Sequence, residues 1–380
     1  MTHTSPHHGE AHRAFRETVR RFVAAEITPF AAEWDEAEEF PRALYARAAE
    51  IGLLGLGFPE EYGGIACDRH FKIIASQELA RAGSGGVSAG LMSHSIGAPP
   101  IAALGTESMK RRVLPDILAG RSISALAITE PGGGSDVARL RTTARRDGDD
   151  FVVNGEKTYI TSGMRADYYT VAVRTGGPGA GGVSLLLIER DRAGFTRTKL
   201  AKTGWWASDT ATLHFDECRV PAENLIGNEN DGFRGVMLNF NDERMGLAAS
   251  SLAFARVAYE DALEWARLRN TFGTALIERQ VIRHKLVDMA QRLAAGEAYL
   301  ESLAWRVDQG EAPIADLCML KNHATQTLAF CASEAVQILG GVGYMRGSRV
   351  ERIAREVKVN AIGGGAEEIM KDLASRHLSW

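Results

Sequence analysis

Cysteine is scarce in this chain of 380 residues, which has only Cys67, Cys218, Cys318 and Cys331. No two of them form a C-x-x-C pair, so the spacing gives no support for a zinc site. A framework of disulfides is typical of small secreted domains and is not expected in a chain of this length. The cysteine pattern therefore predicts a protein of a reducing compartment.

Long apolar runs and an excess of one charge are also missing. No run of about 18 apolar residues occurs, so no transmembrane helix is expected. Residues 1–10 are polar and lack the apolar region of a signal peptide, and their His3, His7 and His8 are interpreted as part of a frayed terminus rather than a metal site. With 44 Lys+Arg against 48 Asp+Glu, the net charge is −4. We therefore expect a cytoplasmic protein that binds neither nucleic acid nor membrane.

Common catalytic and nucleotide motifs are absent or incomplete. The chain has no G-K-[ST] phosphate loop and no H-E-x-x-H zinc motif, and Gly341–Gly343 starts a dinucleotide fingerprint that fails at Arg346. Gly86–Gly90 matches the G-x-S-x-G pattern of serine hydrolases, which requires a strand before the serine. Here Leu79–Gly83 end a predicted helix, so we interpret Gly86–Gly90 as a flexible connection between helices.

Glycine is abundant, and its distribution indicates the domain organisation. Sixteen of the 40 glycines lie between residues 121 and 235, among short β-rich runs. In that region Asn154-Gly155 predicts a hairpin turn between Phe151–Val153 and Tyr159–Thr161. Helical periodicity fills residues 10–120 and returns after residue 229. The sequence predicts an α+β, mostly helical protein with a helical domain at 1–120, a small antiparallel β domain at 121–228 and a helical domain at 229–380.

Two features stand out as candidate site elements. Residues 129–136 read T-E-P-G-G-G-S-D, and such a loop exposes backbone N–H groups to an anion or a flat ring, although a plain turn is the alternative. Glu243 falls on a helical stripe formed by Val236, Phe240, Leu247 and Phe254. Loss of solvation there raises a carboxyl pKa toward neutrality, which suits a general base. An ion pair with another helix is the alternative for Glu243.

Four segments in sequence carry a resemblance to a known family. They are residues 127–136 (A-I-T-E-P-G-G-G-S-D), 154–163 (N-G-E-K-T-Y-I-T-S-G), 269–273 (R-N-T-F-G) and 337–344 (Q-I-L-G-G-V-G-Y). The chain resembles the acyl-CoA dehydrogenase family over nearly its whole length. The resemblance implies an N-terminal helical domain, a middle small β-barrel or sandwich, a C-terminal four-helix bundle, and FAD held without a covalent bond in a homotetramer or homodimer.

The same resemblance implies an oxidoreductase of fatty acid or branched-chain acyl metabolism. Its reaction is the α,β-dehydrogenation of an acyl-CoA, or an acyl-carrier-protein thioester, to the trans-2-enoyl product, with an electron-transferring flavoprotein as electron acceptor. The residues implied beside the flavin and its ribityl–pyrophosphate chain are Leu126, Ile128, Thr129, Gly134, Ser135, Tyr159 and Thr161. The residues implied to grip the FAD of a neighbouring subunit are Arg269, Thr271, Phe272, Gln280, Gln337 and Gly341.

The position of the catalytic base departs from most of the family. Relatives carry Tyr-Glu-Gly-Thr with Glu as the base, whereas residues 362–365 here are Ile-Gly-Gly-Gly, with Gly364 at the base position. Glu367 and Glu368 follow too late and are expected to open the last helix, where acids balance the helix dipole.

The isovaleryl-CoA and long-chain branches place their base in a Glu-Arg pair on the long C-terminal helix, where this chain has Glu243-Arg244. The resemblance, together with the stripe, therefore favours Glu243 as the base. It also implies that the Gly364 N–H binds the thioester oxygen, and that the substrate contacts Ser135, Arg244 and Gly365.

Two alternatives remain open from the sequence, a monooxygenase and a weak flavoprotein, and a third is disfavoured. A flavin monooxygenase of the same fold needs no base for an α carbon, so Glu243 would be dispensable. A nitroalkane oxidase of the same fold needs an acid near residue 364, which Gly364 argues against. A catalytically weak flavoprotein would bind FAD tightly without reduction by any acyl-CoA.

Overall fold

The structure is a computed structural model that describes residues 5–378, apart from the side chains of residues 238–241. The first part of the chain is helical. Its helices are α1 (Glu10–Glu26), α2 (Ala31–Glu36), α3 (Ala43–Glu50), α4 (Arg69–Ala80), α5 (Gly85–Leu91), α6 (His94–Gly97), α7 (Pro99–Leu104) and α8 (Glu107–Leu118). Helix α4 begins where the Asp68 carboxylate accepts hydrogen bonds from the backbone N–H groups of His70 and Phe71. Helix α8 begins in the same way at Thr106. Both caps satisfy N–H groups that have no partner inside the helix.

A single sheet forms the middle of the chain. Its strands are β1 (Ser124–Ala127), β2 (Thr143–Asp147), β3 (Asp150–Thr161), β4 (Tyr168–Arg174), β5 (Val183–Glu189), β6 (Phe195–Lys199), β7 (Thr210–Pro221) and β8 (Leu225–Ile226). The strand order is β6-β7-β3-β2-β4-β5-β8, and β1 pairs with β4. Most pairs are antiparallel, but β1 lies parallel to β4, and β2 meets β4 in parallel at one residue pair. The prediction of an antiparallel domain holds for most strand pairs but not for β1, because β1 enters the sheet from the helical region rather than through a hairpin.

The predicted hairpin turn at Asn154-Gly155 is also wrong. Both residues lie inside the continuous strand β3, and the turn between β2 and β3 is at Gly148-Asp149. The pairing register of β3 with β7 shifts between Val153 and Gly155, which marks a bulge. A Cβ at position 155 would lie 2.8 Å from Thr142 Cα, so glycine here permits close backbone approach rather than a chain reversal.

Long helices dominate the rest of the chain. The helices of this region are α9 (Gly232–Leu268), α10 (Gln280–Asp308), α11 (Ile314–Leu339), α12 (Gly341–Tyr344), α13 (Arg349–Ile362) and α14 (Glu367–His377). A short hairpin of β9 (Asn270–Thr271) and β10 (Thr274–Ala275) connects α9 to α10. Helices α9, α10, α11 and α13 share a core that contains Phe254, Leu293, Leu328 and Ile353. The N-terminal helices share a second core with the sheet, including Phe40, Leu79, Phe151 and Tyr169. The predicted order of helical, β and helical regions is confirmed, whereas the exact limits at residues 120 and 228 stay a prediction.

Two local interpretations of the sequence are corrected by packing. Gly86–Gly90 is no flexible connection, since it belongs to α5, where a Cβ at Gly86 would lie 3.0 Å from the Trp205 backbone. The N-terminal histidines that the structure describes are not frayed. His7 stacks on His70 with ring centres 5.2 Å apart, and His8 stacks on His12 at 5.4 Å. His3 lies outside the described residues.

The four cysteines are free thiols. Among the described residues, no helix combines the length and the apolar character needed to cross a bilayer.

Candidate active site

The end of β1 meets a distortion of β3, and together they expose one surface. The backbone N–H of Thr158 donates to the carbonyl of Thr129 at 2.8 Å, and the register of β3 with β7 shifts between Lys157 and Ile160. Within this bulge Tyr159 has a φ of 61°, a rare conformation for a residue with a side chain. The distortion turns the Tyr159 ring outward, leaving it 71 % exposed beside the half-buried Thr129.

A buried ion pair holds this surface in place. Lys157 Nζ donates to Glu130 Oε1 at 2.8 Å and to the Ile128 carbonyl at 3.1 Å. The same carboxylate accepts the backbone N–H groups of Arg141 and Thr142, at 2.6 and 2.8 Å. Burial opposes ionisation of Glu130, but the Lys157 ammonium and these hydrogen bonds hold its pKa below the usual range. Lys157 and Glu130 therefore fix the strand end against β3.

Sequence reasoning passed over both members of this pair. The available signal was a lysine and a glutamate inside the two most specific sequence segments, 127–136 and 154–163. The pairing itself depends on a contact between residues 27 positions apart, which periodicity does not reveal.

The glycine-rich turn beyond β1 is open to solvent. Gly132 and Gly133 are exposed, and a Cβ at either position would meet no atom within 4 Å. Ser135 is exposed too, while a Cβ at Gly134 would lie 3.1 Å from Thr129 Cγ2. The turn therefore presents an accessible backbone beside Thr129, as an anion-binding loop requires.

The other two ring-side residues lie at the edges of this surface. Leu126 is half-buried and packs against the core cluster that contains Ile128. Thr161 is half-buried at the end of β3, where it pairs with Thr210 of β7. The next residue, Ser162, is fully buried.

The candidate base lies on α9 against the glycine turn that follows α13. A Cβ at Gly364 would lie 3.5 Å from Glu243 Oε1 and 3.8 Å from its Cδ. The carboxyl group of Glu243 thus borders the space into which a side chain at position 364 would project. Leu247, one helical turn later, borders the same space at 2.5 Å.

Glu243 has no counter-ion in direct contact within the described part of the chain. Its Oε2 is buried without a hydrogen-bond partner there. Burial raises the pKa of Glu243 to about 7, against the opposing charges of Arg244 and Lys321. The alternative of a direct ion pair with another helix is therefore not supported. The stripe that predicted this acid holds at Val236 and Phe254, which are buried, whereas the Phe240 side chain lies outside those described.

The turn at 363–365 offers a backbone donor beside this carboxyl. Gly364 and Gly365 have φ angles of +65° and +108°, which glycine adopts without strain. Among the described residues, no acceptor is bonded to the Gly364 N–H. The Gly365 carbonyl instead accepts a hydrogen bond from Lys321 Nζ at 2.6 Å. Arg244 is buried next to Glu243 on α9.

The second group of predicted cofactor residues lies apart from the first, on the C-terminal helices. Thr271 and Thr274 pair across a two-residue turn whose Phe272 is 97 % exposed. Exposed positions are also held by Arg269, Gln280, Gln337 and Gly341. Within the described part, no hydrogen bond or ion pair links these residues to Thr129, Tyr159 or Glu243.

Comparison with known proteins identifies the family. Models of the acyl-CoA dehydrogenase N-terminal, middle and C-terminal domains match residues 9–121, 125–218 and 230–379. The chain belongs to the acyl-CoA dehydrogenase family. Members are FAD-dependent oxidoreductases that act on CH–CH groups, and this chain is an enzyme of that class.

Individual relatives cover almost the whole chain. Acyl-CoA dehydrogenase AFT10-1 of Alternaria alternata is 38% identical over 393 residues, covering 97% of this chain and 91% of the relative. The mitochondrial long-chain specific acyl-CoA dehydrogenase of Sus scrofa is 35% identical over 371 residues, covering 97% and 86%. The crystal structure of a probable acyl CoA dehydrogenase from Mycobacterium abscessus superposes with a TM-score of 0.96 at 47% identity, covering 97% of this chain and 99% of that chain.

The residues present fit the FAD that the family uses. The exposed ring of Tyr159, the strand end at Thr129 and the open glycines 132 and 133 form one accessible face. This acyl-CoA dehydrogenase thus has a candidate flavin-binding face on the sheet and a candidate general base on α9.

Proposed function

We propose that Glu243 is the base that removes the α proton of an acyl-CoA thioester. The observation that carries this proposal is the placement of the Glu243 carboxyl 3.5 Å from where the Cβ of residue 364 would be. A carboxyl on α9 thereby reaches the space that a side chain at position 364 would enter. Its raised pKa of about 7 matches a base that must accept a proton near neutral pH.

The Gly364 N–H binds the thioester oxygen in this mechanism. A carboxylate is too weak a base for an α proton unless charge that develops on the thioester oxygen is stabilised. A positioned backbone donor supplies that stabilisation without reorganisation. The α C–H bond breaks, its proton moves to Glu243, and the electron pair forms the new double bond.

The sheet residues hold the cofactor for the second half of the reaction. FAD bound there would supply an acceptor for the hydride that leaves the β carbon as the Cα–Cβ double bond forms. The Glu130–Lys157 pair keeps Ile128 and Thr129 at the strand end, and Tyr159 covers one edge of that face. Thr161 donates a hydroxyl beside it, while Gly134 and Ser135 line the turn for the phosphate chain.

A second copy of the chain completes the cofactor site in this proposal. Phe272 is almost fully exposed on a hairpin that contacts α9, and Arg269 and Gln280 are exposed with it. An apolar ring in that position suits an interface, and the planar fork of Arg269 suits a pyrophosphate. We propose that Arg269, Thr271, Phe272, Gln280, Gln337 and Gly341 bind the FAD of a neighbouring subunit in a homotetramer or homodimer.

The substrate is proposed to be a long or branched acyl-CoA, and the electron acceptor an electron-transferring flavoprotein. The similarity to the long-chain specific enzyme of Sus scrofa, together with the position of the base on α9, supports the substrate class. Arg244 and Gly365 contact the thioester end in this proposal, and Ser135 the CoA side.

The test is Glu243→Gln, which keeps the side-chain size and removes the proton-accepting group. We expect FAD content to be unchanged and anaerobic flavin reduction by the best acyl-CoA to fall at least 10²-fold, as loss of a general base predicts. Glu368→Gln, a change of the same kind at an exposed residue of α14, is the matched control and should retain wild-type rates. Flavin reduction by Glu243→Gln at the wild-type rate would refute the assignment and favour the monooxygenase alternative.

A further inference from the structure

Lys321 is a buried lysine that no carboxylate holds. It lies on α11 with 0 % of its surface exposed. Among the described residues, no Asp or Glu oxygen lies within 4 Å of its Nζ, although a buried ammonium is costly unless it is well paired. Its two hydrogen bonds go to main-chain oxygens, Ala361 at 3.2 Å and Gly365 at 2.6 Å. Burial lowers the pKa of Lys321 to about 8, against the opposing charges of Glu367 and Glu243.

The two carbonyls that Lys321 binds lie on either side of the proposed oxyanion donor. Ala361 is in the last turn of α13, and Gly365 directly follows Gly364. Three consecutive glycines, 363–365, have the greatest conformational freedom a chain can have. The Lys321 ammonium therefore ties both ends of this turn to α11, and the direction of the Gly364 N–H depends on that tie.

The same ammonium acts on the base. Burial raises the pKa of Glu243, and the charges of Arg244 and Lys321 counteract that rise. Opposite charge in a poorly solvated site favours the ionised carboxylate. Arg244 is the residue next to Glu243 on α9, whereas Lys321 comes from a different helix and also holds the turn.

We propose that Lys321 is a positioning residue for proton abstraction, which holds the Gly364 turn in place through its two carbonyls and whose charge favours the ionised form of Glu243. This rests on the proposed function of Glu243 and Gly364. One side chain thereby couples the donor that stabilises the thioester oxygen to the base that takes the α proton.

The experiment compares Lys321→Met, Lys321→Gln and Lys321→Arg in the FAD-loaded enzyme. Lys321→Met removes both the charge and the hydrogen bonds, so kcat should fall ten- to a hundredfold with a smaller change in KM. The acidic limb of kcat/KM against pH should move upward, because Glu243 loses a stabilising charge. Lys321→Gln can still donate but carries no charge, so it should recover part of kcat and keep the shifted limb. Lys321→Arg should restore the limb.

Two further readouts separate positioning from a general loss of structure. The first readout uses an acyl thioester that has an α hydrogen but no β hydrogen, so that only proton abstraction can occur. Mass spectrometry follows the exchange of its α hydrogen for deuterium. This exchange should slow in Lys321→Met in parallel with kcat. FAD content should stay at the wild-type level. Lys358→Met, which removes a charge from an exposed position of α13, is the control and should leave rate and pH profile unchanged.

The outcomes distinguish this inference from the proposed function. If Glu243→Gln is inactive but Lys321→Met and Lys321→Gln keep wild-type kcat, pH profile and exchange rate, the role of Lys321 is refuted and the base assignment stands. If Glu243→Gln is active, the proposed role of Glu243 as the base is refuted, and the role of Lys321, which rests on it, is refuted as well. Should Lys321→Met not fold, Lys321→Gln decides, since an unshifted acidic limb in that variant contradicts the charge role.

Discussion

Glu243 and Gly364 share one small space although they are 121 residues apart. A Cβ at position 364 would lie 3.5 Å from Glu243 Oε1 and 2.5 Å from a methyl carbon of Leu247. A carboxyl at this centre therefore comes from the side of α9, and the turn after α13 contributes backbone alone.

The pH dependence of the enzyme should follow the carboxyl of Glu243. Its pKa is raised by burial to about 7, and only the ionised form can accept a proton. We expect kcat/KM to rise as pH increases through about 7 and to fall tenfold per unit on the acid side. The measurement is kcat/KM from pH 5.5 to 8.5. A flat profile over this range would contradict the assignment.

Gly364→Ala tests the close approach at the site. The φ of +65° disfavours any residue with a Cβ, and the added carbon must displace Leu247. We expect a loss of about 1–3 kcal/mol in the free energy of unfolding and a lower kcat. Urea denaturation and steady-state rates measure both quantities. Gly181→Ala, where φ is not positive and a Cβ would meet open space, is the control and should change neither.

Lys157→Met tests the ion pair that holds the flavin face. Removing one partner leaves Glu130 buried without its counter-ion, which costs about 3–5 kcal/mol of stability. FAD affinity should fall as well, because Ile128 and Thr129 lose their support. Unfolding curves and FAD titration check the two effects. The exposed pair of Lys199 and Glu38 provides the control, since Lys199→Met should cost at most about 1 kcal/mol. Unchanged FAD affinity in a folded Lys157→Met would contradict the supporting role.

Phe272→Ser tests the proposed contribution of a neighbouring subunit. Loss of the exposed ring should weaken assembly and reduce FAD affinity about tenfold or more, while helix content stays the same. Light scattering and FAD titration measure the two effects. Ile65→Ser replaces an exposed apolar residue of the N-terminal region and should alter neither property. If the mass and affinity of Phe272→Ser equal those of the wild type, this residue has no part in an interface.

The helices and most strands follow directly from local patterns in the sequence. Apolar periodicity predicted the helical region after residue 229, which contains α9, α10 and α11, because each of these helices buries a continuous face in one core. The β-rich runs Phe151–Val153 and Tyr159–Thr161 both lie in β3. Prediction from local patterns was wrong where a residue is required by a contact with a distant part of the chain. Gly155 resembled a turn glycine, but it allows β3 to pass close to Thr142.

The candidate site divides along the same line. The sequence alone shows an acid, Glu243, on the apolar stripe of α9. It also shows that position 364 is a glycine and so has no side chain. Which groups surround that acid is a matter of packing. Lys321 of α11 reaches the turn at 363–365, and Lys157 of β3 reaches Glu130 beyond the end of β1, because folding brings together residues that are distant along the chain. Charge and hydrogen bonding act over a few ångströms in space, so the pKa of Glu243 and the direction of the Gly364 N–H depend on the folded arrangement and not on neighbours along the chain.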